Sequence, residues 1–365
     1  MSIADKITRL KTARDNIRTA LANYDIDASD HGYEDFADDI EGIVTFDPDD
    51  YAVDVIETTD ESHTVYSREY KYIGKNVSKL SSGVYTNDND VIEVQLPTSI
   101  TQLSGSFNGC ANLRSVNLQN ITRLEKDSFR GCKSIRILYM PNLTYFHTYA
   151  FSPGTETTFA LEEIYFPKMA EIGGLDLKEY TFFTKCPNLR LIDVSGAISI
   201  ANGVFQNFKV GTNVINVILS ENLKTLGQYV FQPSNSRMNV NGGTVYLPNL
   251  ESAGRDCFSE TLIEKIISLG KITDVPYNAF RNCKNLMFIR IPATVTSMQM
   301  TAFADNYMNR ILIMEPVTPP SINGTFNNTY DIYVPDDSVE DYKAASNWSS
   351  AASKIHPMSE YTGTD

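Results

Sequence analysis

The chain has 365 residues, of which 42% are hydrophobic and 21% charged, and this composition favours an ordered protein over an intrinsically disordered one. Its formal net charge is −14 at pH 7, so it lacks the excess of Lys and Arg that phosphate contacts require, which disfavours nucleic acid as a partner. No run approaches the ~18 apolar residues of a helix that spans a membrane.

The N-terminal segment, residues 1–45, is predicted to form a short helical hairpin. Its first ten residues, MSIADKITRL, lack a basic head followed by an apolar core, so we expect no secretory signal peptide and synthesis as a cytosolic product. Apolar residues recur at helical spacing in both helices: Ile3, Ile7, Leu10, Ile17, Leu21, Tyr33, Phe36 and Ile40. A hairpin of this size has too little core to stand alone, so its apolar stripe is expected to pack on another surface.

This segment resembles a short module at the N-terminus of many phage tail, baseplate and fibre proteins. The shared pattern is I-x-x-L-x-x-A-x-x-x-I-x-x-A, from Ile7 to Ala20, followed by the aromatic-rich run from Tyr33 to Ile43. The resemblance implies that residues 1–45 attach the chain to other virion proteins, in several copies per particle. It also implies a location in the virion, with assembly in the host cytoplasm.

Residues 46–75 are predicted to be an acidic connector with a leading strand. No Lys or Arg lies between Arg18 and Arg68, whereas fifteen Asp and Glu lie between Asp25 and Glu61. The rest of the sequence carries 30 acids against 31 bases, so the net charge belongs to the stretch from Asp25 to Glu61. It is either a solvated, self-repelling connector or an anionic face for a basic partner.

A repeat occupies residues 76–334. Short runs of the form apolar-x-x-apolar-x-apolar recur every 21–28 residues, and an aromatic residue follows each run. The central apolar residues of these runs are Val94, Val116, Leu138, Ile164, Ile192, Val217, Val245, Ile266, Ile289 and Ile311. A short strand with one apolar edge cannot bury that edge alone, so about ten units are expected to stack into a solenoid with one core.

The repeat units resemble BspA-type leucine-rich repeats, through the consensus AF-x-x-C-x-x-L-x-x-I-x-I-P. The stretch AFRNCKNLMFIRIPATVTSM, from Ala279 to Met298, carries it most fully. Residues 335–365 resemble the closing segment of that family, with a short helix anchored by Tyr342 and Trp348. The resemblance implies an α+β repeat solenoid with a C-terminal helical cap over the end of its core.

Four cysteines share one repeat position, three residues after the aromatic: Cys110, Cys132, Cys186 and Cys283. Metal ligands must converge on one point, whereas equivalent positions of a solenoid are spread along its axis. A disulfide between the adjacent repeats of Cys110 and Cys132 is conceivable by distance. A cytosolic origin and the unpaired Cys257 disfavour it. We therefore predict reduced cysteines that serve as small core residues.

The sequence predicts no catalytic, metal or cofactor site. The four histidines are scattered, and no pair has metal-ligand spacing. The stretch DIDASD begins like a calcium loop, but Asp30 and Phe36 stand where an EF-hand needs Gly and Glu. No Ser lies in a G-x-S-x-G motif. We therefore expect a non-catalytic protein.

The outward positions of the repeat strands are more apolar than a solvated face should be. They are expected to form a contiguous exposed stripe that binds a partner: Ile137, Tyr139, Tyr165, Leu191, Ile218, Tyr246, Ile267 and Phe288. The alternative is that such residues simply pair well across strands. Longer gaps after Phe151, Phe205 and Phe231 predict loops along one edge, either for binding or through neutral drift.

The combined prediction is a non-catalytic phage virion protein. Its N-terminal module attaches to the particle, and its repeat domain binds a protein or a host-surface protein or glycan. The alternative is a bacterial BspA-like surface adhesin or interaction protein with no role in a virion.

Overall fold

A computed structural model describes most of the chain. The described residues are 50–59, 64–74, 76–147, 149–151, 158–173, 186–206, 213–232, 237–306, 310–324 and 330–363. The predicted N-terminal hairpin, with Ile3, Ile7, Leu10, Ile17, Leu21, Tyr33, Phe36 and Ile40, lies outside these ranges. That prediction therefore stays a prediction.

The described residues form mostly short β-strands. In chain order these are β1 (Tyr51–Thr59), β2 (Thr64–Tyr72), β3 (Lys79–Ser81), β4 (Val91–Gln95), β5 (Gln102–Ser104), β6 (Ser115–Val116), β7 (Arg123–Leu124), β8 (Ile137–Tyr139), β9 (Tyr145–Phe146), β10 (Glu163–Tyr165), β11 (Glu171–Ile172), β12 (Leu191–Val194), β13 (Ser199–Ile200), β14 (Val214–Leu219), β15 (Thr225–Leu226), β16 (Arg237–Val240), β17 (Thr244–Tyr246), β18 (Ser252–Ala253), β19 (Lys265–Ser268), β20 (Asp274–Val275), β21 (Phe288–Ile291), β22 (Ser297–Gln299), β23 (Arg310–Met314), β24 (Ser321–Asn323), β25 (Tyr330–Val334) and β26 (Ile355–Pro357).

The repeat strands build two parallel ladders. The first ladder runs β4–β6, then β8–β10–β12–β14–β16, then β17–β19–β21–β23–β25–β26. The second ladder runs β3–β5–β7–β9, then β11–β13–β15–β18, then β20–β22–β24. Both ladders turn alternate side chains into one common core. The fold is thus a β-solenoid of about ten turns, with less helix than the predicted α+β class, because the return segment of each repeat is a short strand with turns.

The predicted strand centres align in register through the middle of the first ladder. Leu138, Ile164, Ile192 and Val217 pair in sequence across β8, β10, β12 and β14, and each is at most 1% exposed. One predicted centre is displaced. Ile289 pairs with Leu312 rather than with Ile311, so the inward position of β23 lies one residue later than the sequence pattern suggested.

The aromatic residues that follow the repeat strands stack along the solenoid axis. Ring centroids in the first series, Tyr85–Phe107–Phe129–Phe151, lie 5.0, 5.2 and 5.0 Å apart. The spacings in the second series, Phe205–Phe231–Phe258–Phe280–Phe303, are 5.6, 5.5, 5.6 and 5.7 Å. One aromatic per turn therefore fills the core at nearly constant spacing, with added ring–ring attraction. Phe183 and Phe326, the aromatic residues that follow the runs centred on Ile164 and Ile311, lie outside the described ranges.

The N-terminal end of the solenoid begins with a hairpin rather than with a solvated connector. β1 pairs antiparallel with β2, and its other edge pairs antiparallel with β4. Alternate residues of β1, Ala52, Asp54 and Ile56, are buried. This period of two explains why an acidic segment folds here, because one face of β1 covers the first turn of the core.

A kink divides the first ladder between β16 and β17. The backbone has positive φ at Asn241 (46°), Gly242 (66°) and Gly243 (91°), which separates the strand that pairs with β14 from the strand that pairs with β19. The predicted edge loop after Phe231 is therefore wrong in part. Its second half, Arg237–Val240, is β16 and belongs to the ladder. Residues 152–157 and 207–212, which contain most of the other two predicted loops, are not described.

The C-terminal segment has one short helix, α1 (Val339–Ala344), together with 3-10 turns and β26. Tyr342 and Trp348 are buried and pack edge to face at 5.0 Å. The Tyr342 hydroxyl donates to the Pro316 carbonyl at 2.8 Å, and the Trp348 indole N–H donates to the Pro320 carbonyl at 2.9 Å. The expected helical cap is thus limited to six helical residues, because β26 continues the ladder beside β25. No helix within the described ranges is long and apolar enough to cross a membrane.

Candidate functional site

The cysteines form a structural ladder. All five are free and buried. Each of three thiols donates to the carbonyl of the aromatic residue one turn earlier: Cys110 to Tyr85 (2.8 Å), Cys132 to Phe107 (2.9 Å) and Cys283 to Phe258 (3.0 Å). The side-chain amide of Asn306 donates to the Phe280 carbonyl at 3.1 Å from the same repeat position. This position therefore selects for a small buried donor.

The buried thiols are poorly suited to nucleophilic chemistry. Burial raises the pKa of Cys110 to about 12 and that of Cys283 to about 11, and it raises the pKa of Cys132 well above the usual range. A thiol with a raised pKa has very little of the reactive thiolate form at neutral pH. Among the described residues, no group of three His, Cys, Asp or Glu side chains is placed to hold a metal ion.

The predicted binding face has two in-register rows on β8, β10, β12 and β14. The first row reads Ile137, Glu163, Leu191 and Asn216. The second row reads Tyr139, Tyr165, Asp193 and Ile218. Polar residues therefore interrupt the expected contiguous stripe in both rows. We call Ile137, Tyr139, Tyr165 and Leu191 together the tyrosine patch; Glu163 lies between Ile137 and Leu191 in the first row.

The tyrosine patch is accessible. Ile137 is 51% exposed and Tyr139 is 49% exposed, whereas Tyr165 and Leu191 are half-buried. The rings of Tyr139 and Tyr165 meet edge to face, with centroids 5.7 Å apart. Neighbouring rings that restrain each other lose little side-chain freedom when a partner covers them, which suits an interface.

A chain of opposite charges borders the tyrosine patch. Arg136 pairs with Glu162, with 2.6 Å between guanidinium and carboxylate, and Arg190 contacts Glu162 at 3.9 Å. Arg190 also pairs with Glu163. The Tyr165 hydroxyl donates to Glu163 at 2.6 Å, and this hydrogen bond is the main reason that the pKa of Tyr165 is raised. The rim is thus polar and internally paired, as is typical of protein interfaces.

This charged rim was not among the predicted surfaces. A signal was present, because Arg136, Glu162 and Arg190 occupy the same position two residues before successive strand centres, with alternating sign. Strand-to-strand stacking brings such equivalent positions together.

The remaining predicted face residues do not extend the patch evenly. Ile218 and Tyr246 are exposed, at 39% and 43%. Tyr246 pairs with Ser268 across an irregularity in the β17–β19 register, and Ile267 is half-buried next to it. The expected exposure of Phe288 is wrong. Phe288 is 6% exposed; the ring of Tyr361 from the C-terminal segment lies 6.2 Å away between centroids, and the Arg290 guanidinium lies 5.9 Å from the centre of the Phe288 ring.

The comparisons with known proteins agree with the repeat geometry. The family model described as BspA type leucine-rich repeat region matches residues 66–182, 172–241 and 208–332. The chain therefore belongs to the BspA-type leucine-rich repeat family. No curated protein sequence matches the chain.

Two solved structures are similar along most of the chain. The first is a leucine-rich repeat protein from Bacteroides ovatus ATCC 8483, with 13% identity and a TM-score of 0.34, covering 83% of this chain and 80% of that one. The second is a leucine-rich cell surface protein from Faecalibacterium prausnitzii A2-165, with 14% identity and a TM-score of 0.23, covering 85% of this chain and 86% of that one.

Proposed function

We propose that the chain is a non-catalytic binding protein that recognises a protein partner through the tyrosine patch. The observation that supports this most directly is the exposure of Ile137 (51%) and Tyr139 (49%) on a rigid ladder strand, beside a paired charged rim. Exposed aromatic and aliphatic clusters with polar rims are characteristic of interfaces, and aromatic residues supply much of the binding energy there.

The test uses a photo-cross-linking amino acid in place of Tyr139 in the full-length chain, expressed in its natural host. The matched control carries the same amino acid in place of Tyr277, which is 44% exposed and lies outside the first ladder. We expect a discrete adduct from position 139 and none from position 277. Equal adducts from both positions, or none from position 139, would contradict the assignment of the surface.

The loss of affinity is measured with Tyr139→Asp, once the cross-linked partner is purified. A charge in the centre of an apolar interface should weaken binding by about 30-fold or more, the effect expected of a hot-spot residue. Tyr277→Asp should bind as the wild type does, and both variants should keep the unfolding midpoint of the wild type because both side chains are exposed.

The proposed location is a phage virion, with residues 1–45 as the attachment module, other virion proteins as partners and several copies per particle. The resemblance of the segment from Ile7 to Ile43 supports this location. Mass spectrometry of purified particles should detect the chain, and deletion of residues 1–45 should abolish its incorporation. Incorporation that is unchanged by the deletion would refute the attachment role.

The second candidate is a bacterial surface adhesin or interaction protein with no virion role. Membership of the BspA-type repeat family supports this candidate as well. Protease treatment of intact producing cells separates the two, because a surface adhesin is cleaved while cytoplasmic proteins are spared.

A further inference from the structure

Two outward-facing residues of the first ladder are buried without belonging to the solenoid core. Phe288 on β21 and Ile313 on β23 flank the inward residues Ile289 and Leu312. Phe288 is 6% exposed and Ile313 is fully buried, yet the continuous core cluster contains Ile289 and Leu312 and neither of these two. The outer face of the ladder therefore carries a separate apolar cluster that something covers.

The C-terminal tail, defined here as residues 358–363, contributes to this cover together with Arg290, whose guanidinium lies 5.9 Å from the centre of the Phe288 ring. The ring of Tyr361 lies 6.2 Å from the ring of Phe288 and 5.1 Å from that of Tyr333 on β25, in an edge-to-face contact with the latter. Ile313 pairs with Tyr333 on one side and with Arg290 on the other. The Tyr361 ring thus spans the face from β21 to β25, across the strand that carries Ile313.

The tail is also held by polar contacts, and the Glu360 carboxylate lies 3.7 Å from the His356 ring. Ser359 N–H donates to the Asp336 carboxylate at 2.9 Å, and Tyr361 N–H closes a turn on the Met358 carbonyl at 3.0 Å. Ser359 and Glu360 are exposed and Tyr361 is half-buried. A short segment that lies outside the strand ladders, with exposed residues, opens at a lower free energy than the strands beneath it.

We propose that the outer face of β21, β23 and β25 is a peptide-binding site that the tail occupies in cis. Its ligand class is a short peptide that presents a tyrosine or phenylalanine ring to Phe288, Ile313 and Tyr333. The site is separate from the tyrosine patch on β8, β10 and β12, and the proposal does not rest on the proposed function. When the tail lifts, the apolar cluster becomes available to an aromatic segment of another chain.

The tail competes with such a peptide because it is tethered beside the site. A short flexible tether gives an effective concentration of about 1 mM or more, so the tail must be displaced before a free peptide binds. Removing only the Tyr361 ring should eliminate most of this competition while it leaves the length of the chain unchanged.

The experiment measures binding of a fluorescein-labelled peptide, PMSEYTG, which copies residues 357–363, by fluorescence anisotropy. The full-length Tyr361→Ala variant should bind the peptide saturably and at least tenfold more tightly than the wild type does. Tyr361→Phe is the matched control, because it keeps the ring and should behave as the wild type. A peptide with Ala in place of Tyr should not bind, and Phe288→Ala added to Tyr361→Ala should abolish binding.

Three results would overturn the proposal: no saturable binding to folded Tyr361→Ala at millimolar peptide, equal affinity for wild type and Tyr361→Ala, or unchanged affinity after the Phe288 substitution. Hydrogen exchange on the unmodified chain provides a measurement that needs no variant. The Ser359 and Tyr361 amides should exchange at least a hundredfold faster than the paired amides of β25. Exchange of both sets at one common rate would show that the tail opens only when the protein unfolds.

Discussion

Tyr85 is the first aromatic residue of the stack, and replacing it by the phenylalanine of the repeat consensus is expected to destabilise the protein. The Tyr85 ring stacks on Phe107 as the phenylalanines of later turns do, but its hydroxyl donates to the fully buried carboxylate of Asp54 at 2.5 Å. Lys71 lies 3.4 Å from the same carboxylate and 2.7 Å from Asp88. The substitution Tyr85→Phe restores the consensus residue and removes the donor.

The expected cost at pH 7 is about 1.5–3 kcal/mol of the free energy of unfolding, the contribution of a hydrogen bond to a charged group. Burial raises the pKa of Asp54, and the Tyr85 hydrogen bond opposes that shift. An acid with a raised folded-state pKa contributes stability below its unfolded pKa and loses that contribution as pH rises through the folded pKa. Removal of the hydroxyl raises the folded pKa further, so the variant loses more stability at neutral pH than at acid pH.

The assay is urea unfolding of wild type and Tyr85→Phe at pH 7 and at about pH 4, near the usual pKa of Asp, followed by far-UV circular dichroism. The difference in midpoint should be clear at pH 7 and smaller at about pH 4, where protonation neutralises part of the Asp54 population. Asp54→Asn is the control, because an amide oxygen can still accept from Tyr85 without a buried charge. Equal stability of Tyr85→Phe and wild type at both pH values, or a larger loss at acid pH, would refute the argument.

Three further outcomes are expected. Cys132→Asn should cost less stability in urea unfolding than Cys132→Leu, because Asn306 already supplies the same donor in another turn and a larger apolar side chain cannot. Gly270→Ala should lower the unfolding free energy by about 1–3 kcal/mol, the cost of a residue held in a sparsely populated backbone region. The φ of Gly270 is +63°, and an added Cβ would lie 2.4 Å from backbone atoms of Leu250. The five buried cysteines should react with a thiol reagent at pH 8 at least a hundredfold more slowly in the native chain than in urea; rapid native labelling would contradict their burial.

The tail and the tyrosine patch divide the first ladder into an uncovered part and a covered part. The outward residues Ile137 and Tyr139 of β8 are exposed to solvent, whereas Phe288 of β21 lies beside the Tyr361 ring of the tail. The same sequence pattern thus gives two different surfaces, depending on whether another segment of the chain packs over it.

The sequence by itself determined the repeat. The alternation of residues along each strand predicted that Leu138, Ile164, Ile192 and Val217 face inward. The recurrence of this alternation predicted that neighbouring strands stack in register. The shared position of Cys110, Cys132, Cys186 and Cys283 predicted that they are core residues, and all four are buried. These features are local or repeated at a fixed spacing, so a single chain read from end to end reveals them.

Only the tertiary structure decided what covers each outward surface. No repeat spacing relates the residues that come together when β1 pairs with β4, when Tyr85 donates to Asp54, or when Tyr361 packs beside Phe288. The kink before β17 also has no counterpart in the repeat spacing. An outward-facing apolar residue has the same pattern whether solvent, a partner or a distant part of the chain lies over it. Its exposure depends on the path of the whole chain, which periodicity does not encode.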